Sequence, residues 1–235
     1  MKIELTTATF LTRYKRFMAD VRLENGEVIT VHCPNSGSMK TLLTPEVTCA
    51  IHDSKNPKRK LLHTLTLLGL EQGGWALVDT QRPNAMVQEG ILDGTIQELQ
   101  GYESLRREVQ YGEENSRIDI LLESPDKPAC YVEVKNNTML SSVVPGQSDF
   151  PDAVTTRGAK HLRELMEMKK LGYRAVLFFT VNRTDVSSCG VAPYIDPHYA
   201  KLIKEAVAQG VEVLAYRCDL GMDEIRVNER CPVVI

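Results

Sequence analysis

Between residues 16 and 80 the apolar positions come in short runs, most of them alternating with polar ones, and each run ends on a turn signal. The runs are RFMADVRL (16–23), EVITVHC (27–33), VTCAIHD (47–53), LLHTLTLLGL (61–70) and WALVDT (75–80). Asn25-Gly26, Pro34 to Gly37, Asn56-Pro57 and Gly73-Gly74 stand between them. Alternation with a period of two marks half-buried strands. Asn-Gly between two such strands is a hairpin turn, because both residues accept positive φ. Five short strands in about 65 residues predict a small β-barrel, of which the five-stranded OB barrel is one form. An SH3-like barrel has a similar strand count, so the count does not choose between them.

After Arg82-Pro83 the period lengthens. NAMVQEGILDGTIQEL (84–99) places Met86, Ile91, Ile96 and Leu99 near one helical face, and this predicts a helix in which Gly90 and Gly94 each cost about 1 kcal/mol relative to Ala. Strands are predicted at 104–112, 117–124 and 129–136, the last two joined as an antiparallel hairpin through a turn holding Pro125 and Pro128. The polar stretch 140–152 is long for a compact domain and is predicted to be a flap, carrying Asp149 or Asp152 towards a site. A helix over 152–172 follows, with Leu162, Leu165 and Met166 inward and Gly172 as its C-terminal stop. YRAVLFFTV (173–181) is continuously apolar, as in a strand covered on both faces. A helix over 197–209 and a strand over 211–216 complete the alternation. The pattern predicts two domains, a β-barrel over 1–82 and an α/β domain over 83–235.

Composition agrees with a soluble globular chain: 43% hydrophobic and 25% charged residues, with no apolar run near the ~18 residues of a membrane span. The first residues lack the basic start and apolar core of a signal peptide. Six scattered cysteines without a C-x-x-C pair predict reduced thiols and a cytoplasmic location. The net charge of −3 argues against indiscriminate binding to polyanions, but its distribution changes that picture. Residues 1–83 hold 11 Lys/Arg against 8 Asp/Glu, and the basic ones cluster in RYKRF (13–17) and NPKRK (56–60). Local patches set the field that a phosphate backbone meets.

The chemistry concentrates in RIDILLESPDKPACYVEVKN (117–136). A strand alternates faces, so Tyr131, Glu133 and Lys135 share one side while Val132 and Val134 point to the other. With Asp119 on the adjacent antiparallel strand, two carboxylates converge beside a lysine. Hard cations such as Mg²⁺ (or Mn²⁺) are held by one or two carboxylates plus substrate phosphate. Lys135 is then placed to orient a water and offset phosphate charge. The flanking apolar residues imply a central strand, where an unpaired charge is expensive. Glu89, on the preceding helix, is either a further carboxylate ligand or an ordinary exposed helix residue. Arg157 and His161 stand four apart on the later helix with Lys160 beside them; Arg157 suits phosphate, and His161 reads as a surface histidine. Zinc at His32, Cys33, Cys49 and His52 is disfavoured because adjacent strand residues point to opposite faces. No G-x-S-x-G, G-x-G-x-x-G or Walker A sequence is present.

Seven segments, RYKRFMADV, VHCPNSGSM, NPKRKL, SRIDILL, YVEVKN, FPDAVTTRGAKHLREL and GVEVLAY, resemble the sugar fermentation stimulation protein A family between about residues 12 and 216. The resemblance implies an N-terminal OB-like barrel and a C-terminal domain like that of PD-(D/E)XK nucleases. It implies DNA binding linked to the regulation of sugar, especially maltose, utilisation. The nuclease-like residues carry over to Asp119, Glu133 and Lys135, with Glu89 as the helix acid. The barrel becomes a nucleic-acid binder, with Arg13, Tyr14, Lys15 and Arg16, and Lys58, Arg59 and Lys60, contacting phosphates and bases. No base-reading motif is visible, so little sequence readout is expected. Two readings stay open here: a Mg²⁺-dependent nuclease acting on DNA or RNA, and a non-catalytic DNA-binding regulator. A protein-interaction module without nucleic acid is the third and weakest. A symmetric homodimer is the default assembly for such a chain, and no membrane partner is expected.

Overall fold

The computed structural model describes residues 1–112 and 116–235. Strands β1 (Thr6–Tyr14), β2 (Met18–Arg22), β3 (Val28–His32), β4 (Thr48–Asp53) and β5 (His63–Gly69) run in the order β3-β2-β1-β4-β5, and a β3–β5 pairing at His32 and Thr64 closes them into a barrel. Its interior is filled by Phe10, Val21, Val31, Ile51, Leu65 and Leu68. A short β6 (Trp75–Leu77) extends the sheet from β5. The alternation in the sequence placed four of the five barrel strands but passed over β1. In TTATFLTRY only Ala8 and Phe10 turn fully inward, and the threonines between them, good strand formers, mask the period.

The second domain begins with α1 (Pro83–Leu92), followed by a 3-10 turn at Gln97–Leu99. The single helix expected over 84–99 is interrupted because Asp93 caps it and Gly94 takes φ +85°, which only glycine adopts without strain. The meander β7 (Ser104–Tyr111), β8 (Ser116–Ser124) and β9 (Lys127–Asn137) comes next, then β10 (Met139–Leu140) and β11 (Gln147–Phe150). After α2 (Thr156–Lys170), β12 (Arg174–Val181) lies parallel to β9. The chain continues through β13 (Ser188–Val191), α3 (Pro197–Ala208), β14 (Glu212–Leu220), β15 (Ile225–Arg230) and β16 (Val233–Val234). The main sheet has the order β15-β14-β12-β9-β8-β7, which puts β9 in its interior.

Both faces of this sheet are covered. Val176 and Phe178 of β12 pack with Met86, Val87 and Ile91 of α1; Leu177 and Phe179 pack with Leu162 and Leu165 of α2 and Tyr199 of α3. Val132 and Val134 of β9 join the α1 side, so Glu133 and Lys135 face α2. The 140–152 stretch is not a flap. Its second half is β11, paired in parallel with β13, and Asp149 is buried with its carboxylate accepting hydrogen bonds from Gln147 (2.7 Å) and the Tyr194 hydroxyl (2.7 Å). All six cysteines are free and buried, and no helix among the described residues is long and apolar enough to cross a membrane.

The barrel and the α/β domain share one core: Ala50, Leu67 and Leu77 belong to the cluster that holds Met86, Ile120 and Val132. A polar clamp adds to it. Ser38 Oγ donates to the Asp152 carbonyl (2.8 Å) and Met39 N to Asp152 Oδ2 (3.1 Å), while within the barrel Thr80 Oγ1 donates to the Pro34 carbonyl (3.1 Å). Gly37 is required by close approach, since a Cβ there would lie 2.4 Å from Asp152 Oδ2. Gly37→Ala is therefore expected to cost about 1–3 kcal/mol through overpacking. In an Asp152→Ala background the same substitution should cost much less, and a double-mutant cycle by urea denaturation checks the coupling.

Candidate active site

β8 and β9 pair antiparallel, with Ile120 opposite Val132. The carboxylate of Asp119 therefore lands beside the backbone of β9. Asp119 Oδ2 accepts from Val134 N (2.7 Å) and Oδ1 from Asn84 Nδ2 (2.8 Å) at the start of α1. Burial and the neighbouring Glu133 carboxylate push its pKa up to about 6, against the opposing pull of Lys135. Glu133 is 1% exposed. Burial alone would raise it, but Lys135 and His161 outweigh that and hold it below its ordinary range.

Glu133 Oε1 contacts both Lys135 and His161. Lys135 Nζ donates to it at 2.5 Å, and His161 Nδ1 makes a short contact with the same oxygen. Arg157 Nε donates to His161 Nε2 (3.4 Å), and Lys135 Nζ lies 3.1 Å from His161 Nδ1, so the ring is tied to both basic side chains as well as to Glu133. Glu133 Oε2 is buried and has no hydrogen-bond partner among the described residues. These groups line a cleft of about 660 Å³ with Asn84, Glu108, Arg117, Asn136 and Lys160, and the barrel contributes Ser36 and Thr80 to its wall.

The structure thus brings Asp119, Glu133, Lys135 and Arg157 together, and it adds His161, which the sequence reading left on the surface. His161 precedes Leu162 and lies four residues before Leu165, so its place on the buried face of α2 was legible from the spacing. Glu89 is not brought in. It is exposed on α1, lies outside the cleft and pairs with the N-terminal amine of Met1 (2.6 Å). The helix turns it away, and Asn84, a turn and a half earlier, faces Asp119 instead.

The barrel residues divide. Arg13 is committed to the 35–38 loop, donating to the carbonyls of Asn35 (2.7 Å) and Gly37 (3.1 Å), and the Tyr14 hydroxyl donates to Asp20 Oδ1 (3.0 Å). Lys15 and Arg16 form a tight turn with φ +45° and +65°, Arg16 donating to the Ser36 carbonyl (3.3 Å). The exposed aromatic of that turn is Phe17, 43% exposed with the Arg16 guanidinium 5.5 Å from its ring centre. Arg59 reaches Thr64 Oγ1 (3.3 Å) and the His32 ring, while Lys58 and Lys60 are exposed beside it. Phe17 O accepts from Cys33 N (2.9 Å), next to His32, so both basic segments meet at the barrel end that also carries the 34–38 loop of the cleft wall.

A closed five-stranded OB barrel joined to an αβββαβ domain, with two acids and a lysine on its second and third strands, defines a protein of the restriction-endonuclease-like class with an appended OB module. A family model described as the SfsA N-terminal OB domain matches residues 11–78, and one described as the sugar fermentation stimulation protein RE domain matches residues 81–224. Sugar fermentation stimulation protein homologs of Shewanella sp. strain MR-4 and Shewanella baltica strain OS155 are 55% and 52% identical over 97% of each chain. The solved structure of Pyrococcus furiosus SfsA in complex with Ca²⁺ superposes with a TM-score of 0.88 at 26% identity, covering 100% of this chain and 98% of that one. The chain belongs to the sugar fermentation stimulation protein family.

Lys135→Ala leaves the buried Glu133 carboxylate with His161 alone, and breaking a buried pair in this way costs about 3 kcal/mol. Lys58→Ala, on an exposed loop, should change stability by less than about 0.5 kcal/mol. Urea midpoints of the two variants measure the contrast.

Proposed function

We propose that the chain is a divalent-cation-dependent phosphodiesterase acting on nucleic acid, with the cleft as its active site and the barrel end as its nucleic-acid grip. The observation that carries this is Glu133 Oε2, a buried carboxylate oxygen without a partner, beside an Asp119 that burial and charge drive towards protonation. A buried carboxylate oxygen left without a hydrogen bond is costly, and a cation reaching it would offset that cost. Among the described residues no three His, Cys, Asp or Glu side chains are grouped to hold a metal ion by themselves, so an ion here would rely on one or two carboxylates with waters and substrate oxygens, as Mg²⁺ can. Asp119 and Glu133 would hold the ion. When bound, it supplies Lewis-acid stabilisation of phosphate charge and a more acidic water. The relative from Pyrococcus furiosus, described with Ca²⁺, supports a hard-cation preference.

The chain's own residues do the rest. Lys135, fixed by Glu133, orients the attacking water and offsets charge on the phosphate. His161 holds Glu133 in place through Nδ1. The Nη groups of Arg157 bond to no described residue and are free to fork onto a phosphate. Phe17, Arg16 and the 58–60 loop give a stacking face and phosphate contacts that carry a strand towards Ser36 and the cleft.

Single- and double-stranded DNA and RNA should be cut with Mg²⁺ or Mn²⁺ and spared in EDTA. Lys135→Gln should lower cleavage about 100-fold or more while leaving binding nearly unchanged. Equal cleavage by that variant overturns the mechanism. Absence of cutting on every substrate, with binding that weakens steeply as salt rises, would instead establish the non-catalytic DNA-binding regulator of sugar-utilisation genes. A pH dependence follows from Asp119. The metal-free folded protein takes up its proton as pH falls through about 6, whereas the unfolded chain does so nearer 4, so proton and cation compete in the fold. The rise in Tm on adding Mg²⁺ should be full above pH 7 and shrink as pH drops through 6, as differential scanning fluorimetry will show.

A further inference from the structure

Every carbonyl of the barrel loop 34–38 accepts a hydrogen bond from a side chain. Thr80 Oγ1 donates to Pro34 (3.1 Å), Arg13 Nη2 to Asn35 (2.7 Å), Arg16 Nε to Ser36 (3.3 Å), and Arg13 Nη1 to Gly37 (3.1 Å) and Ser38 (3.4 Å). Arg13 Nε holds the Arg16 carbonyl (3.0 Å) as well, so this guanidinium is wholly engaged with backbone. The loop leaves through Met39, which is buried at φ +52°, a conformation uncommon for a residue with a Cβ. Reversing a chain requires none of this; holding one group at a fixed point does.

The group held there is Ser36. It is exposed between a buried Asn35 and a half-buried Gly37, and it lines the cleft together with Lys135, Arg157 and Lys160. A trans peptide sets its C=O and the following N–H in opposite directions. With the Asn35 carbonyl directed at Arg13, the Ser36 N–H points away from that arginine. Neither this N–H nor the Ser36 Oγ bonds to a described residue, whereas the next donor, Gly37 N, is taken by Asn35 Oδ1 (2.8 Å). Two guanidinium groups neutralise the carbonyl ends of the loop, so its peptide dipoles present a net positive side, as backbone that takes anions does. We propose that Ser36 is a phosphate-binding residue, its N–H and Oγ holding a non-bridging oxygen of the strand as it passes from the barrel end into the cleft. Arg13 is then a positioning residue, which meets no phosphate itself and fixes the loop that does. This rests on the reading of the cleft as a nucleic-acid site.

Fluorescence anisotropy with fluorescein-labelled single-stranded DNA and with its duplex, on the full chain at low salt, tests this first in EDTA and then with Ca²⁺. Ser36→Ala removes the hydroxyl, and Ser36→Asp sets a charge against the phosphate. Gln72→Asp adds the same charge to an exposed barrel turn outside the cleft. Ser36→Ala should weaken binding about threefold. Ser36→Asp should weaken it about tenfold or more, an effect that fades as salt rises, and Gln72→Asp less than about twofold. The Tm of both Ser36 variants should stay within about 2 °C of the wild type, as for an exposed residue. Wild-type affinity in both Ser36 variants, or an equal loss in Ser36→Asp and Gln72→Asp, overturns the role of Ser36 and leaves the nucleic-acid reading standing. So does an affinity that falls only together with Tm. No binding by the wild type to either probe in either condition overturns both.

Discussion

A carboxylate buried in the middle of a sheet governs this structure. Glu133 sits on an interior strand under α2, where ionised oxygen is tolerated only with charged or hydrogen-bonding partners. One oxygen has two such partners, Lys135 two residues along the strand and His161 from the helix above. The other has none. The buried carboxylate accounts for the histidine on the apolar face of α2 and the largely enclosed lysine beside it, and, after Asp119's own burial, its charge helps to raise the pKa of Asp119.

The second constraint is that the barrel is not a loosely tethered module. Leu67 and Leu77 lie in the same core as Ile120 and Val132, and the 34–39 loop is clamped by Asp152 just before the N-terminus of α2. Arg13 stiffens that loop from the barrel side. Ser36 therefore stands at a fixed place in the cleft wall, and the basic turn that carries Phe17 is fixed with it. The barrel end is thus held in one position relative to Asp119 and Glu133.

Much of this was legible in the sequence because it depends on period and on local chemistry. The alternation in 129–136 gave the shared face of Glu133 and Lys135, and the continuous apolar run 173–181 gave the doubly covered strand β12 beside it. What stayed hidden depends on long-range packing. Thr-rich β1 has too few apolar residues to announce its period, although Phe10 is central to the barrel. Glu89 and Asn84 share a helix, and the rotation that brings Asn84 to Asp119 and sends Glu89 to the N-terminus is set by how α1 docks. The 140–152 stretch looked like a flap because its strand, β11, finds its partner some 40 residues later in β13. His161 was within reach, for its spacing to Leu165 marks the buried face.

The most direct measurement is anomalous diffraction from crystals soaked in Mn²⁺. A peak bonded to Asp119 and to the free oxygen of Glu133, with Lys135 still on the opposite oxygen, is the expected result. Peaks only elsewhere, or none at a concentration that saturates binding in solution, would mean that the buried carboxylate serves the fold alone.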